Sequence, residues 1–426
     1  MAYTIESTTP TIWTADSLNS PYRPIKVRVT SSGLADIKKM KCFINIDDAA
    51  TDDNADTPIL LDPDYGTTNE FTFDLSSYLQ GLDTLTSNQQ TAGSAVSIID
   101  SSSNSIKKVK VRFKEVYLDS NGLLIDQVYS PHNYSDSFYI INGVWQHNEV
   151  SSKFDSFEIA SSGDKYFLTN YRSSILPKRL KTIGLYESEH LSFFTNLTTV
   201  PYFRLTTYAA KDNSSVANPS YYIALDAMSS NRIDLPVGVA NIHATTGVWL
   251  NSSGVSVSDP VIDSSVGSYK VSLTTGTNTT KISEEYRFNV DHESCTDNWT
   301  RIKFLNRLGA YEYFTFKGYR DRSLSIRRNY FNTALDANYT LDKGGDRALY
   351  IDSRTEFVVY SQTIKEYERI WLEEMLEGME CFVLEGTDYI PIKVRAGKTQ
   401  IIQEASDLFT IKMTYQYANP NRRQHG

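Results

Sequence analysis

Val109 to Tyr129 reads VKVRFKEVYLDSNGLLIDQVY. Val109, Val111 and Phe113 alternate with Lys110, Arg112 and Lys114, a period of two that gives each set its own face of a strand. Asp119-Ser120-Asn121-Gly122 is a hairpin turn, since Asn-Gly tolerates the positive φ of a tight connection. Leu123 to Tyr129 is the return strand. Upstream, Ile25, Val27 and Val29 share a face and Cys42 and Ile44 follow, so Pro24 to Ile46 is expected to form a hairpin about Gly33. Phe71 and Phe73 alternate into a single helical turn at Asp74 to Leu79, capped by Asp74 or Ser76. Phe138 to Ile141 closes the set before Asn142-Gly143. Strands at this spacing predict a sandwich of antiparallel sheets.

Residues 143–298 repeat the style with new content, which predicts a second sandwich. Its strands are expected at Phe157-Glu158-Ile159, Tyr166-Phe167-Leu168, Phe203-Arg204-Leu205, Tyr221-Tyr222-Ile223, Val248-Trp249-Leu250, Tyr269-Lys270-Val271 and Tyr286 to Val290. From Trp299 the chain changes character and holds one clear helix. Thr363 and Glu366 have the spacing of a capping box. Ile364, Tyr367, Trp371 and Met375 share a helical face, and Gly378 is placed to end the helix in a left-handed conformation. Glu356 to Tyr360, Glu380 to Glu385, Tyr389 to Arg395 and Phe409 to Tyr415 read as strands, and the tail from Asn419 as polar and mobile. The expected fold class is mainly β, with two β-sandwich-like domains (1–142 and 143–298) followed by a C-terminal α+β domain (299–426) with one main helix.

Hydrophobic residues make up 40% of the 426 and charged residues 22%, a globular rather than a disordered balance. The 28 Tyr and 19 Phe suit strands and protein interfaces. The net charge of −9 is unevenly placed: Arg301 to Gly426 holds 19 Lys+Arg against 17 Asp+Glu, which leaves −11 on the first 300 residues. An acidic body argues against non-specific grip on a nucleic-acid backbone, although it can line a channel through which DNA slides. Cys42, Cys295 and Cys381 are scattered and odd in number, so they make neither a disulfide framework nor a zinc site and are expected to be buried thiols. MAYTIESTTP has no basic or apolar signal region, and no apolar run reaches a membrane span. The expectation is a protein made in a reducing cytoplasm, with no membrane insertion.

The familiar chemical motifs fail on inspection. The histidines form no H-E-x-x-H pair, no G-x-S-x-G elbow occurs, and Gly397-Lys398-Thr399 lacks the first glycine of a phosphate loop, with Ile392 in its place. His292 and Cys295 make half a metal site at most. Asp52, Asn54 and Asp56 resemble the start of a calcium loop, but Thr57 replaces its glycine and Pro63 its glutamate. The expectation is no enzyme, no metal and no cofactor. Arg320, Arg322, Arg327 and Arg328 are the basic concentration of the chain. Three readings are open for them: a nucleic-acid surface with Tyr319 and Tyr330, an outward strand face, or a contact with the acidic surface of a neighbouring subunit. The third fits the charge split best.

Asn298 to Phe316, NWTRIKFLNRLGAYEYFTF, resembles a segment of the tail proteins of tailed bacteriophages of gut bacteria, crAss-like phages included, which carry an N-R-L-G-x-Y-x-x-F-T-F core between β-domains. Tyr389 to Val394 and Phe409 to Pro420 are similar too, and Pro24 to Val27 and Phe73 to Gln80 echo it more weakly. The resemblance implies a virion structural protein, a tail ring or collar subunit assembled around the DNA path. Its implied partners are copies of itself and other tail or portal-proximal proteins, with DNA only as passing cargo. Its implied location is the virion tail, reached from the host cytoplasm during assembly. It carries no catalytic residues over. Arg320, Arg322, Arg327, Arg328, Tyr311 and Tyr313 are the residues expected at the assembly interface, with Tyr311, Tyr313, Phe314 and Phe316 packing a strand either into the core or against a neighbour. The competing classes are a receptor- or glycan-binding β-protein and, behind it, a polysaccharide-degrading enzyme.

Overall fold

A computed structural model describes residues 3–9, 17–19, 25–31, 37–46, 59–62, 64, 70–80, 100–102, 106–126, 138–141, 156–160, 163–169, 171, 181–195, 200–209, 220–225, 232–245, 247–260, 262–277, 279–292, 299–332, 337–338, 340, 346–395, 397, 400–405, 407–419 and 421–425. The protein is mainly β. Its contacts divide it into two compact units. The first comprises Met1–Ile183, Glu187–Val290 and Asn306–Ala310; the second comprises Gly184–Tyr186, Asp291–Leu305 and Tyr311–Gly426. The division expected at 142/143 falls within the first unit.

The first unit begins with β1 (Tyr3–Thr9), β2 (Ser17–Asn19), β3 (Lys26–Ser31), β4 (Ile37–Ile46), β5 (Ile59–Leu61), β6 (Glu70–Asp74), the helical turn α1 (Ser76–Gln80), β7 (Asp100–Ser102), β8 (Ile106–Leu118), β9 (Leu124–Asp126) and β10 (Phe138–Ile141). One sheet runs β1-β3-β6, and a second runs β2-β10-β8-β4-β5 with β9 on β8. Val27, Val29, Phe71 and Phe73 of the first meet Met40, Cys42, Ile44, Val109, Val111 and Phe113 of the second in one core. Phe73 and Phe113 lie 5.3 Å apart between ring centroids. Period-two alternation supplies this core, and each such side chain contributes about 1.5–3 kcal/mol by leaving water. The expected β3–β4 hairpin is corrected: β3 pairs with β1 and β6, and β4 with β5 and β8. Alternation fixes which residues face inward, not which sheet a strand joins. The expected β8–β9 hairpin does form, with Gly122 at φ +78° and Asp119 Oδ1 accepting the amides of Asn121 and Leu123.

The unit continues with β11 (Glu158–Ile159), β12 (Lys181–Gly184), β13 (His190–Thr195), β14 (Tyr202–Tyr208), β15 (Tyr221–Ala224), β16 (Arg232–Pro236), α2 (Val239–His243), β17 (Trp249–Leu250), β18 (Ser256–Val257), β19 (Ser268–Thr274) and β20 (Tyr286–Asp291). They build a sheet β11-β13-β16-β7 and a sheet β12-β20-β19-β14-β15-β17-β18. Strand β7, from before residue 142, thus pairs with β16 from after it. Tyr166 to Leu168, expected as a strand, lies outside any strand yet carries buried anchors. Phe167 stacks edge-on against Phe193 of β13 and Tyr286 of β20, so it joins the two sheets.

The second unit holds β21 (Thr300–Leu305), β22 (Tyr311–Phe316), β23 (Arg320–Asn332), β24 (Asp346–Tyr360), β25 (Ile364–Lys365), α3 (Glu366–Glu377), β26 (Cys381–Glu385), β27 (Asp388–Val394), β28 (Gln400–Ala405), β29 (Leu408–Tyr417) and β30 (Asn421–His425). One sheet runs β22-β21-β26-β27-β29-β24-β23, with β25 and β28 on β29 and β30 on β24. This is the expected arrangement of strands about one main helix. Helix α3 packs through Trp371, which meets Phe304 and Phe314 and whose indole N–H donates to Glu312. Its start is corrected by two residues. Lys365 is the N-cap, and its amide donates to Glu368 Oε2 at 2.9 Å, while Ile364 and Lys365 pair with β29. Gly378 is extended (φ −66°) rather than left-handed. It is needed for space, since a Cβ there would sit 2.9 Å from the carbonyl oxygens of Glu374 and Leu305. The tail expected to be mobile forms β30 on β24.

Candidate functional site

The sequence RDRSLSIRRNYFN of β23 has hydroxyls and charges where a half-buried strand has apolar residues. Its thirteen residues, about 40 Å when extended, are exposed almost throughout and form the end strand of the sheet. From Arg320 to Ser323 its partner β24 is backed by β29. Beyond that, β24 has β30 at residues 350–353, so the outer part is a narrow ribbon. A Leu349 bulge, where Asn329 opposes Tyr350 and Tyr330 opposes Ala348, adds local twist.

Register separates the four arginines. Arg320, Arg322, Leu324, Ile326 and Arg328 share one face, opposite Val359, Phe357, Thr355, Ser353 and Ile351. Arg327 lies on the other face, opposite Asp352. The four therefore do not make one patch. Arg320 is committed within its own unit: it bonds Glu385 and lies 4.4 Å over the Phe357 ring. Leu324 and Ile326 are 54% and 48% exposed, so an apolar pair stands between Arg322 and Arg328 on an open strand. A desolvatable centre with a charged rim is the composition of a protein-binding patch. Tyr319 and Tyr330 are also exposed.

Tyr311 and Tyr313 are corrected to core residues, at 1% and 0% exposed. The Tyr311 hydroxyl donates to Glu380 Oε2 at 2.5 Å, and Tyr313 packs on Tyr389. Tyr311, Phe382 and Tyr389 enclose the buried ammonium of Lys303 at 4.5, 4.9 and 4.5 Å. A lysine among ring faces replaces part of its lost hydration by cation–π attraction. The sequence showed aromatic alternation here but not the lysine that organises it.

The Asn306-Arg307-Leu308-Gly309-Ala310 turn belongs to the first unit. Asn306 Oδ1 accepts the amides of Leu308 and Ala310 at 3.0 and 2.9 Å, and its Nδ2 donates to the Leu168 carbonyl at 2.8 Å. Gly309 takes φ +76°, and its carbonyl receives Arg232 Nη1 at 2.6 Å. Arg232 is fully buried and paired with Asp234, which also accepts from Ser192 Oγ. Leu308 and Ala310 complete a core with Ile106, Ile141, Phe157, Leu168 and Phe194. Asparagine supplies both acceptor and donor, and glycine the φ that a side chain resists.

Asp52 to Asp56, Cys295 and Lys398-Thr399 lie outside the described residues. Among the described residues no group of three or more His, Cys, Asp or Glu is arranged to hold a metal, and no helix is long and apolar enough to cross a membrane. Cys42 and Cys381 are buried. Burial pushes the Cys42 thiol far above its ordinary range and the Cys381 thiol up to about 12, so neither is a ready nucleophile. A cleft beside the ribbon is lined by Ser353, Arg354, Thr355, Lys393, Gln416 and Tyr417. No family model and no curated protein matches this sequence.

Proposed function

We propose that this chain is a non-catalytic structural subunit of a tailed-bacteriophage virion, a ring or collar component of the tail that assembles with copies of itself around the DNA path. The reading rests on the resemblance of Asn298 to Phe316 to phage tail proteins. The observation that carries the assembly part is β23, a long edge strand that places Leu324 and Ile326 in solvent. Such an edge is a template for pairing with another chain, and proteins that have no use for one shorten or cover it. An acidic remainder with a basic strand gives like subunits complementary surfaces. In this reading DNA is passing cargo, since the acidic body offers it little grip.

Electron microscopy of the purified protein tests the proposal, with closed rings of uniform copy number as the expected result. Persistent monomers at high concentration would count against it. The second reading, a glycan- or receptor-binding protein, is favoured by the exposed rings of Tyr319 and Tyr330 and by the cleft lined by Arg354, Lys393 and Gln416. It predicts sugar binding that survives replacement of Leu324 and Ile326.

A further inference from the structure

We infer that β23 joins subunits head to tail, docking on the acidic residues 1–300 of a second copy rather than on that copy's own β23. The inference rests on the self-assembly proposed above and specifies its partner and symmetry. β23 carries Arg320, Arg322, Arg327 and Arg328 against a single Asp321. Two such strands laid side by side would set like charges together, and like charges directly opposite destabilise a ladder. Arg322, Arg327 and Arg328 therefore act as a guard against self-pairing of the edge, Arg320 being held by Glu385. They leave it compatible with a negative surface, and the first 300 residues carry a net −11. The apolar pair Leu324 and Ile326, flanked by Arg322 and Arg328, gives that contact a centre that excludes water. A contact between two different surfaces is heterologous, so each subunit has one donor end and one acceptor end, and the chain of contacts closes into a ring or grows as a filament.

The test is a donorless subunit. Ser325 and Arg354 are directly opposed, so Ile326 to Ser353 can be replaced by Asn-Gly, a two-residue turn that keeps the register. Circular dichroism and a melting curve establish that it folds. Should it not fold, proline at the edge is the substitute. Of two consecutive strand residues one directs its N–H outward, so one of Ser325→Pro and Ile326→Pro blocks the edge and spares the β23–β24 ladder. The donorless protein carries a distinct tag and is examined alone and mixed with the parent. The expected result is loss of self-assembly alone, with uptake by the parent that caps assemblies at smaller size and weakens as salt is added. Loss of self-assembly without uptake would overturn the head-to-tail inference and leave self-assembly standing. Unimpaired assembly of the donorless protein would overturn the role of β23. A monomeric parent would overturn the self-assembly reading itself.

Discussion

Asn306 and Arg320 are single side chains whose partners lie within the fold. Asn306 satisfies two amides and a carbonyl in a buried turn. Asn306→Ala leaves those groups without partners and should cost about 2–3 kcal/mol, read as a lower midpoint in urea unfolding. Asn306→Asp keeps the acceptor but buries a charge and sets an oxygen against the Leu168 carbonyl, so at pH 7 it should cost at least as much. Arg320 and Arg328 stand on the same face of one strand, yet Arg320 bonds Glu385 and covers Phe357. Arg320→Met should lower the unfolding free energy of the dissociated subunit, whereas Arg322→Glu with Arg328→Glu should leave it within about 0.5 kcal/mol of the parent. The importance of the N-R-L-G segment was legible in the residues, because Asn and Gly at those positions signal a turn. What the turn binds was not, since Leu168 and Arg232 are distant in sequence and meet it only in the fold.

Helix α3 and strand β23 lie at opposite ends of what sequence reading recovers among the elements. The apolar positions of α3 at intervals of three and four gave its face, and Trp371, Leu372 and Met375 are buried as that pattern requires. Thr363 and Glu366 copy the capping spacing, yet the helix begins two residues later because Ile364 and Lys365 are held in the sheet by β29. Burial raises the Glu368 carboxyl above its ordinary 4.5, with the Lys365 amide and ammonium pulling it down. A raised carboxyl contributes its full stability below pH 4.5, and that contribution is lost as pH rises through the folded value. Glu368→Gln retains the acceptor for Lys365, so it should be neutral in acid and raise the melting temperature at pH 7. Gly378→Ala meets two carbonyl oxygens and should cost about 1–3 kcal/mol. Strand β23 gave no such signal. Periodicity reports burial on one face, and a strand exposed on both has none to report.

At the scale of the whole molecule, the mainly β class followed from many short alternating runs punctuated by turns. The division into units did not follow, because β7 pairs with β16 across residues whose composition suggested a boundary. Charge placement was visible from the start: −11 on the first 300 residues and a cluster of arginines after them. The structure adds that those arginines line an open strand with Leu324 and Ile326 among them. Assembly through that strand is the central claim, and it separates this account from a monomeric glycan-binding protein. The most direct measurement is the solution mass of the parent chain and of the Arg322→Glu, Arg328→Glu variant over a range of concentrations, by sedimentation velocity. A parent species of defined multiple mass is expected, with a variant that keeps the parent's circular dichroism spectrum but sediments as a monomer and melts no higher than the dissociated parent. A variant that assembles as the parent does, or a parent that is monomeric throughout, would contradict it.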